Sequence, residues 1–152
     1  MDSDRIEREI VIAAPPDVVW GIVTEPKQMS QWLCDAADFE ARAGTYGSMS
    51  WNEYGSFRVH VVRVERPRTF SFRWVFPEDS EPNETNSLLV EFTLTDENGA
   101  TRVRLVESGF RAIAGRHAGG NAAYIASREH GWDQYMMQLL DYVAQKANSA
   151  TR

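Results

Sequence analysis

The chain has 152 residues, of which 43% are hydrophobic and 25% are charged, and this length and composition predict one ordinary globular domain over residues 1–152. Sixteen Lys and Arg against 22 Asp and Glu give a net charge of −6, which disfavours binding to nucleic acid and to anionic membranes. The single cysteine, Cys34, excludes an intrachain disulfide and a multi-thiolate metal site. With no signal-peptide pattern and no long apolar window, we expect a cytoplasmic protein without a membrane span.

The first quarter of the chain predicts one strand and two short helices. Residues 6–12 form a strand of mixed alternation. Pro16 suits the first turn of a short apolar helix, and Pro26 stops or kinks that helix. A second short helix is predicted around Met29, Trp32 and Leu33.

Between residues 36 and 109 the apolar positions recur at every second residue, which predicts an antiparallel meander of six strands. In chain order these positions are Phe39; Met49 and Trp51; Phe57, Val59 and Val61; Phe70, Phe72, Trp74 and Phe76; Leu88, Val90, Phe92 and Leu94; Val103 and Leu105. Val62 and Val64 indicate either a second apolar face or a bulge in the third of these strands. Asn98-Gly99 predicts the tightest turn, since both residues accept a positive φ.

The last part of the chain predicts a glycine-containing connection and a long helix. Residues 110–121 hold Gly115, Gly119 and Gly120, which suggest a mobile gate. Residues 124–147 form the helix, which at 1.5 Å per residue is about 36 Å long. One stripe recurs at helical spacing, flanked by Tyr135 and Leu140, and its C-terminal half from Leu139 to Val143 is expected to be core. It comprises Ile125, Glu129, Trp132, Met136, Leu139 and Val143.

The order of these elements resembles the helix-grip fold of the START/SRPBCC superfamily. Several segments are similar to the branch named after the activator of the heat-shock-protein-90 ATPase: residues 14–20, 24–26, 31–32, 64–68, 70–74, 101–110 and 131–132. The resemblance implies an α+β fold in which a curved antiparallel sheet of six or seven strands wraps around the C-terminal helix. It also implies a cavity, since superfamily relatives bind lipids, sterols, polyketides or plant hormones and some cyclise or dehydrate them.

An inner surface rich in aromatic residues is expected between the sheet and the helix. A pocket there would suit a small hydrophobic molecule, although the same rings may equally be expected to fill an ordinary core. The candidate ligand-binding residues are Met29, Trp32, Trp51, Phe57, Phe72, Trp74, Val90, Phe92, Leu105, Arg128, Trp132 and Met136.

Two glutamates are the candidates for catalysis. Glu107 keeps the parity of Val103 and Leu105, so it points inward as an acid or base, or else lies at the strand end in solvent or paired with an arginine. Glu129 lies on the helix stripe next to Arg128, and either residue is a candidate polar anchor of the pocket or a solvated residue near the helix start.

No cofactor or metal is expected. His60, His117 and His130 lack metal-ligand spacing, and His130 has Asp133 within pairing distance on the helix. Cys34 has no partner signature and is interpreted as a small apolar filler. Nucleotide-binding motifs are absent from the sequence. The acidic segment 77–86 is either a solvated hairpin tip or a docking site for a basic partner.

Three functions follow, in this order. The first is binding of a small hydrophobic ligand between sheet and helix. The second is a cyclase, dehydratase or hydrolase that works in the same cavity. The third, implied by the resemblance alone, is a co-chaperone-like stimulator of the heat-shock-protein-90 ATPase, although the best-known members of that branch engage the chaperone through an additional N-terminal domain. The sequence leaves the oligomeric state open.

Overall fold

The structure, a computed structural model, describes residues 5–53, 55–75, 82–83, 86–111 and 120–150, with the side chains of the last segment described over 125–146. The strands are β1 (Arg5–Ile12), β2 (Ala36–Asp38), β3 (Tyr46–Trp51), β4 (Gly55–Glu65), β5 (Thr69–Val75), β6 (Leu88–Glu97) and β7 (Ala100–Ser108). The helices are α1 (Pro16–Thr24), α2 (Pro26–Met29) and α3 (Gly120–Ala150). Within these described residues, none of the helices has the length and apolar content needed to cross a bilayer.

The strands form one antiparallel sheet in the order β1-β7-β6-β5-β4-β3-β2, so the predicted meander is confirmed and β1 is added beside its last strand. The β6–β7 hairpin turns on Asn98 and Gly99, whose φ angles are +57° and +89°. The Gly99 amide donates a hydrogen bond to Asp96 Oδ1 at 3.1 Å. This is the tight turn that the Asn-Gly pair predicts, because both central residues adopt positive φ.

The core lies between the inner face of the sheet and α3. Val59, Val61, Phe72 and Val90 are buried on successive strands. The helix covers them with five buried residues of the predicted stripe: Ile125, Trp132, Met136, Leu139 and Val143. The α+β helix-grip architecture, with its curved sheet around the C-terminal helix, is therefore confirmed.

Two short elements differ from the sequence prediction. Helix α2 begins at Pro26 and ends at Met29, so Trp32 and Leu33 follow it in a turn. Pro26 both ends α1 and occupies the first position of α2, where a missing N–H costs nothing. Phe39 comes directly after β2, and it is buried by stacking on Phe70 at 6.2 Å.

The third meander strand, β4, contains a bulge. Its pairing register with β5 shifts between Val61 and Arg63, which leaves Val62 42% exposed and returns Val64 to the core side. Of the two readings of the Val62 and Val64 pattern, the bulge is therefore the observed one.

Helix α3 begins at Gly120, four residues earlier than predicted, so Gly120 belongs to the helix and not to a gate. Gly115, Gly119 and His117 lie outside the described residues, as do Phe76 and most of segment 77–86. Leu140, which was assigned to the core, is 38% exposed because it lies one position beyond the buried Leu139 on the helix.

Candidate functional site

Glu107 is buried inside the molecule. It lies near the end of β7 on the same face as Val103 and Leu105, and its side chain is completely shielded from solvent. Its Oε1 accepts hydrogen bonds from Trp132 Nε1 at 2.8 Å and Arg128 Nε at 3.1 Å. Its Oε2 accepts from Trp74 Nε1 and Arg128 Nη2, both at 2.8 Å. Four N–H donors thus match the acceptor sites of one carboxylate.

The three partners of Glu107 come from two elements that the fold brings together. Arg128 and Trp132 are four residues apart on α3, so both face the sheet. Trp74 lies near the end of β5, two strands from Glu107. Its ring stacks on that of Trp132 at 5.9 Å, and the Arg128 guanidinium lies 5.0 Å from its centroid. The Arg128 side chain is 18% exposed, so the ion pair turns its cationic member toward the exterior.

Two further aromatic residues extend this group toward the surface. Trp51, at the end of β3, and Phe57, near the start of β4, are half-buried. Their rings lie 5.2 Å from each other and 5.7 and 5.9 Å from Trp74. We call this set the aromatic–carboxylate cluster; it comprises Trp51, Phe57, Trp74, Glu107, Arg128 and Trp132.

The other predicted ligand-binding residues lie deeper and pack against one another. Trp32 contacts Phe92 edge-on at 6.1 Å, and Phe92 contacts Trp132 at 6.2 Å. All are buried in the core: Met29, Trp32, Phe72, Val90, Phe92, Leu105 and Met136. The structure therefore brings five of the twelve candidates together with Glu107 and places the remaining seven in continuous side-chain packing.

Glu129 lies apart from this cluster. Its side chain is 45% exposed, and its Oε2 is 3.7 Å from Arg8 Nη2 on β1. Asp133, one turn further along α3, accepts a hydrogen bond from Arg8 Nε at 2.6 Å, so its partner is Arg8 and not the predicted His130. Placing Glu129 on the inner stripe was wrong, because its position on α3 faces the edge strand and leaves Arg128 and Trp132 to face the core.

The remaining reactive side chains have structural surroundings. Cys34 is buried, and burial with the nearby Asp35 carboxylate raises the pKa of its thiol to about 12. The His60 ring stacks on Tyr46 at 4.3 Å. Among the residues that the structure describes, no group of three or more His, Cys, Asp or Glu side chains could hold a metal ion.

An open cleft of about 500 Å³ lies on the outer face of the sheet, beside Arg42, Tyr46, Ser48 and Arg58. These strand residues alternate with buried ones such as Met49, so the cleft and the aromatic–carboxylate cluster occupy opposite faces. Its polar lining offers little surface to an apolar ligand.

A curved antiparallel sheet that grips a long C-terminal helix defines the helix-grip class of the START/SRPBCC superfamily. Within that class the chain belongs to the family described as "Activator of Hsp90 ATPase homolog 1-like protein", which its sequence matches over residues 13–144. No curated protein sequence matches the chain significantly.

Several solved structures are similar. Protein MLL2253 from Mesorhizobium loti has 23% sequence identity and a TM-score of 0.77, with 93% of this chain and 97% of that one covered. DynU16, a protein of the dynemicin biosynthetic locus, has 24% identity and a TM-score of 0.75 over 94% of this chain and 48% of its own. The Aha1 dimer from Colwellia psychrerythraea has 17% identity and a TM-score of 0.73 over 91% and 95%. At such identities the likeness establishes the fold alone.

Proposed function

We propose that this cytoplasmic protein binds a small hydrophobic molecule at the aromatic–carboxylate cluster. The observation that carries the proposal is the position of Glu107, which is fully buried, bonded to four donors, and placed behind the half-buried rings of Trp51 and Phe57. Ligand sites are mostly apolar and contain a few fixed polar groups. The cluster has this composition.

A purely structural role explains the buried ion pair less well. Replacing a buried pair with packed apolar residues is often neutral or stabilising, because desolvation of two charges opposes their attraction. Here the pair fixes the indole planes of Trp74 and Trp132 through their N–H groups. Rigid side chains held by supporting hydrogen bonds are what a binding site requires.

The similar protein DynU16 belongs to a biosynthetic locus for a small organic molecule, which supports a ligand of comparable size and apolar character here. Catalysis by Glu107 receives less support from the geometry. Protonation would replace one of its acceptor sites with a donor that faces an N–H group of Arg128 or a tryptophan. We therefore assign Glu107 a positioning role.

The second candidate function is stimulation of the heat-shock-protein-90 ATPase, and the family match is the observation that favours it. Its test is the ATPase rate of purified heat-shock-protein-90 with increasing amounts of this protein. A saturable increase in rate would support this candidate, and an unchanged rate at saturating protein would end it.

The first test of ligand binding is native mass spectrometry of gently purified protein, followed by extraction of any retained molecule. The second is titration with N-phenylnaphthylamine, an uncharged aromatic probe whose fluorescence rises in apolar sites. We expect saturable binding that Trp51→Ala weakens about tenfold, since this change removes aromatic contact area. Tyr46→Ala is the matched control, because it removes an exposed aromatic ring from the outer face.

The proposal fails if the wild-type protein retains no molecule and gives no saturable probe fluorescence. It also fails if Trp51→Ala and Tyr46→Ala bind the probe as well as the wild type does, because the probe would then lie elsewhere.

A further inference from the structure

We propose that the ligand is a flat aromatic molecule with an anionic oxygen group, of which a carboxylate is the simplest, and that Arg128 anchors this group. This inference rests on the proposed function, and it adds a selection by charge to binding at the aromatic–carboxylate cluster. The selection follows from which polar atoms of the cluster are already occupied.

The cluster offers hydrogen-bond donors to a ligand and no acceptor. Both oxygens of Glu107 accept two hydrogen bonds each, so its carboxylate is saturated. The single N–H of Trp74 and that of Trp132 are both donated to Glu107. Arg128 carries five N–H donors, of which Glu107 takes two. Recognition of polar ligand atoms therefore falls to the guanidinium.

The orientation of the ion pair directs its positive end toward the ligand. The Arg128 side chain is 18% exposed, whereas that of Glu107 is 0% exposed. Two hydrogen bonds to Glu107 and the ring of Trp74 hold the guanidinium plane in place. A preorganised fork loses little conformational freedom on binding a carboxylate, and charge-assisted hydrogen bonds are about twice as strong as neutral ones.

The same geometry disfavours cationic ligands. Aromatic side chains grouped around a space commonly bind quaternary ammonium groups through cation–π contact. Here Arg128 already lies against Trp74, and a second cation would meet its charge at short range. The net charge of −6 acts in the opposite direction, but exposed charges are screened beyond about 8 Å at physiological salt. The local guanidinium therefore decides the preference.

The test is displacement of N-phenylnaphthylamine by two competitors of the same shape, naphthylacetate and naphthylacetamide. We expect the acetate to displace the probe from the wild type at a concentration about tenfold lower than the amide. Equal potency, or a preference for the amide, would overturn the inference while probe binding upheld the proposed function. Absence of probe binding would instead refute the proposed function itself.

A variant locates the preference. Glu107→Gln combined with Arg128→Gln removes both charges, so no unpaired charge stays buried. We expect this variant to bind the probe within about twofold of the wild type and to show a similarly small difference between the competitors. A tenfold preference that survives would show that Arg128 is not the anchor.

Arg128→Lys provides the measurement if the double variant does not fold. Lysine keeps a cation but lacks the planar fork that Glu107 holds. We expect the preference for the acetate to fall at least about threefold. An undiminished preference would again overturn the role of Arg128.

Discussion

Substitution of Glu107 by glutamine tests the aromatic–carboxylate cluster most directly. Glutamine has almost the same shape but keeps only one acceptor oxygen, and its amide group would replace the other. Whichever oxygen is lost, one N–H of Arg128 and one indole N–H then face the NH₂ group. Two charge-assisted hydrogen bonds disappear, and the guanidinium loses its counter-ion.

The expected destabilisation can be estimated from this geometry. Breaking a buried ion pair costs about 3–5 kcal/mol. Arg128 is 18% exposed and recovers part of its hydration, so we expect the lower end, about 3 kcal/mol. In a domain of this size, 1 kcal/mol changes Tm by about 2–4 °C, which gives a decrease of about 6–12 °C.

The measurement is urea unfolding followed by tryptophan fluorescence and far-UV circular dichroism. Glu129→Gln is the matched control, because the same change at a side chain that is 45% exposed removes a surface pair worth less than about 1 kcal/mol. If the two variants had free energies of unfolding within about 1 kcal/mol of each other, the four hydrogen bonds of Glu107 would not stabilise the fold as inferred.

Three further predictions concern other parts of the molecule. Because burial raises the pKa of Cys34 to about 12, its thiol should react with a disulfide reagent at about pH 8 only after unfolding in guanidinium; rapid reaction of the native protein would contradict this. Gly47→Ala would place its Cβ 2.2 Å from the carbonyl oxygen of Asp38, so we expect a loss of about 1–3 kcal/mol in urea unfolding, with Ser48→Ala as the control; an unchanged midpoint would be evidence against the clash. Arg8→Gln removes the exposed contact with Asp133, and a loss above about 2 kcal/mol, or one insensitive to salt, would refute its assignment as a surface pair.

The sheet could be predicted from the sequence because its signals are local. Alternation at every second residue located the strands of the meander, and Asn98-Gly99 located one turn without knowledge of any neighbour. Pro26 was ambiguous for the same local reason, since a proline that ends one helix can also begin the next. The start of α3 was missed because glycine weakens the helical pattern at Gly120.

The site was harder to predict because its parts are far apart in the chain. Trp74 lies 33 residues before Glu107, and Arg128 lies 21 residues after it. The parity of Glu107 indicated its inward direction, but no local pattern shows that two indoles and a guanidinium converge on it. Nor can alternation separate rings such as Phe92, which pack in the core, from those such as Trp51 at the edge, because both are apolar and face inward.

The pairing of β1 with β7 has a consequence for how the protein is made. Ile6 lies opposite Glu107 in the sheet, so about 100 residues must be synthesised before the first strand can meet its neighbour. At about 5–20 residues per second, this interval lasts about 5–20 s on the ribosome. Strands β2 to β6 can pair in sequence during that time, whereas the apolar side chains of Ile6 and Ile12 have no place in the sheet. Arg5, Glu7 and Glu9 separate these isoleucines and keep the nascent strand polar until β7 emerges.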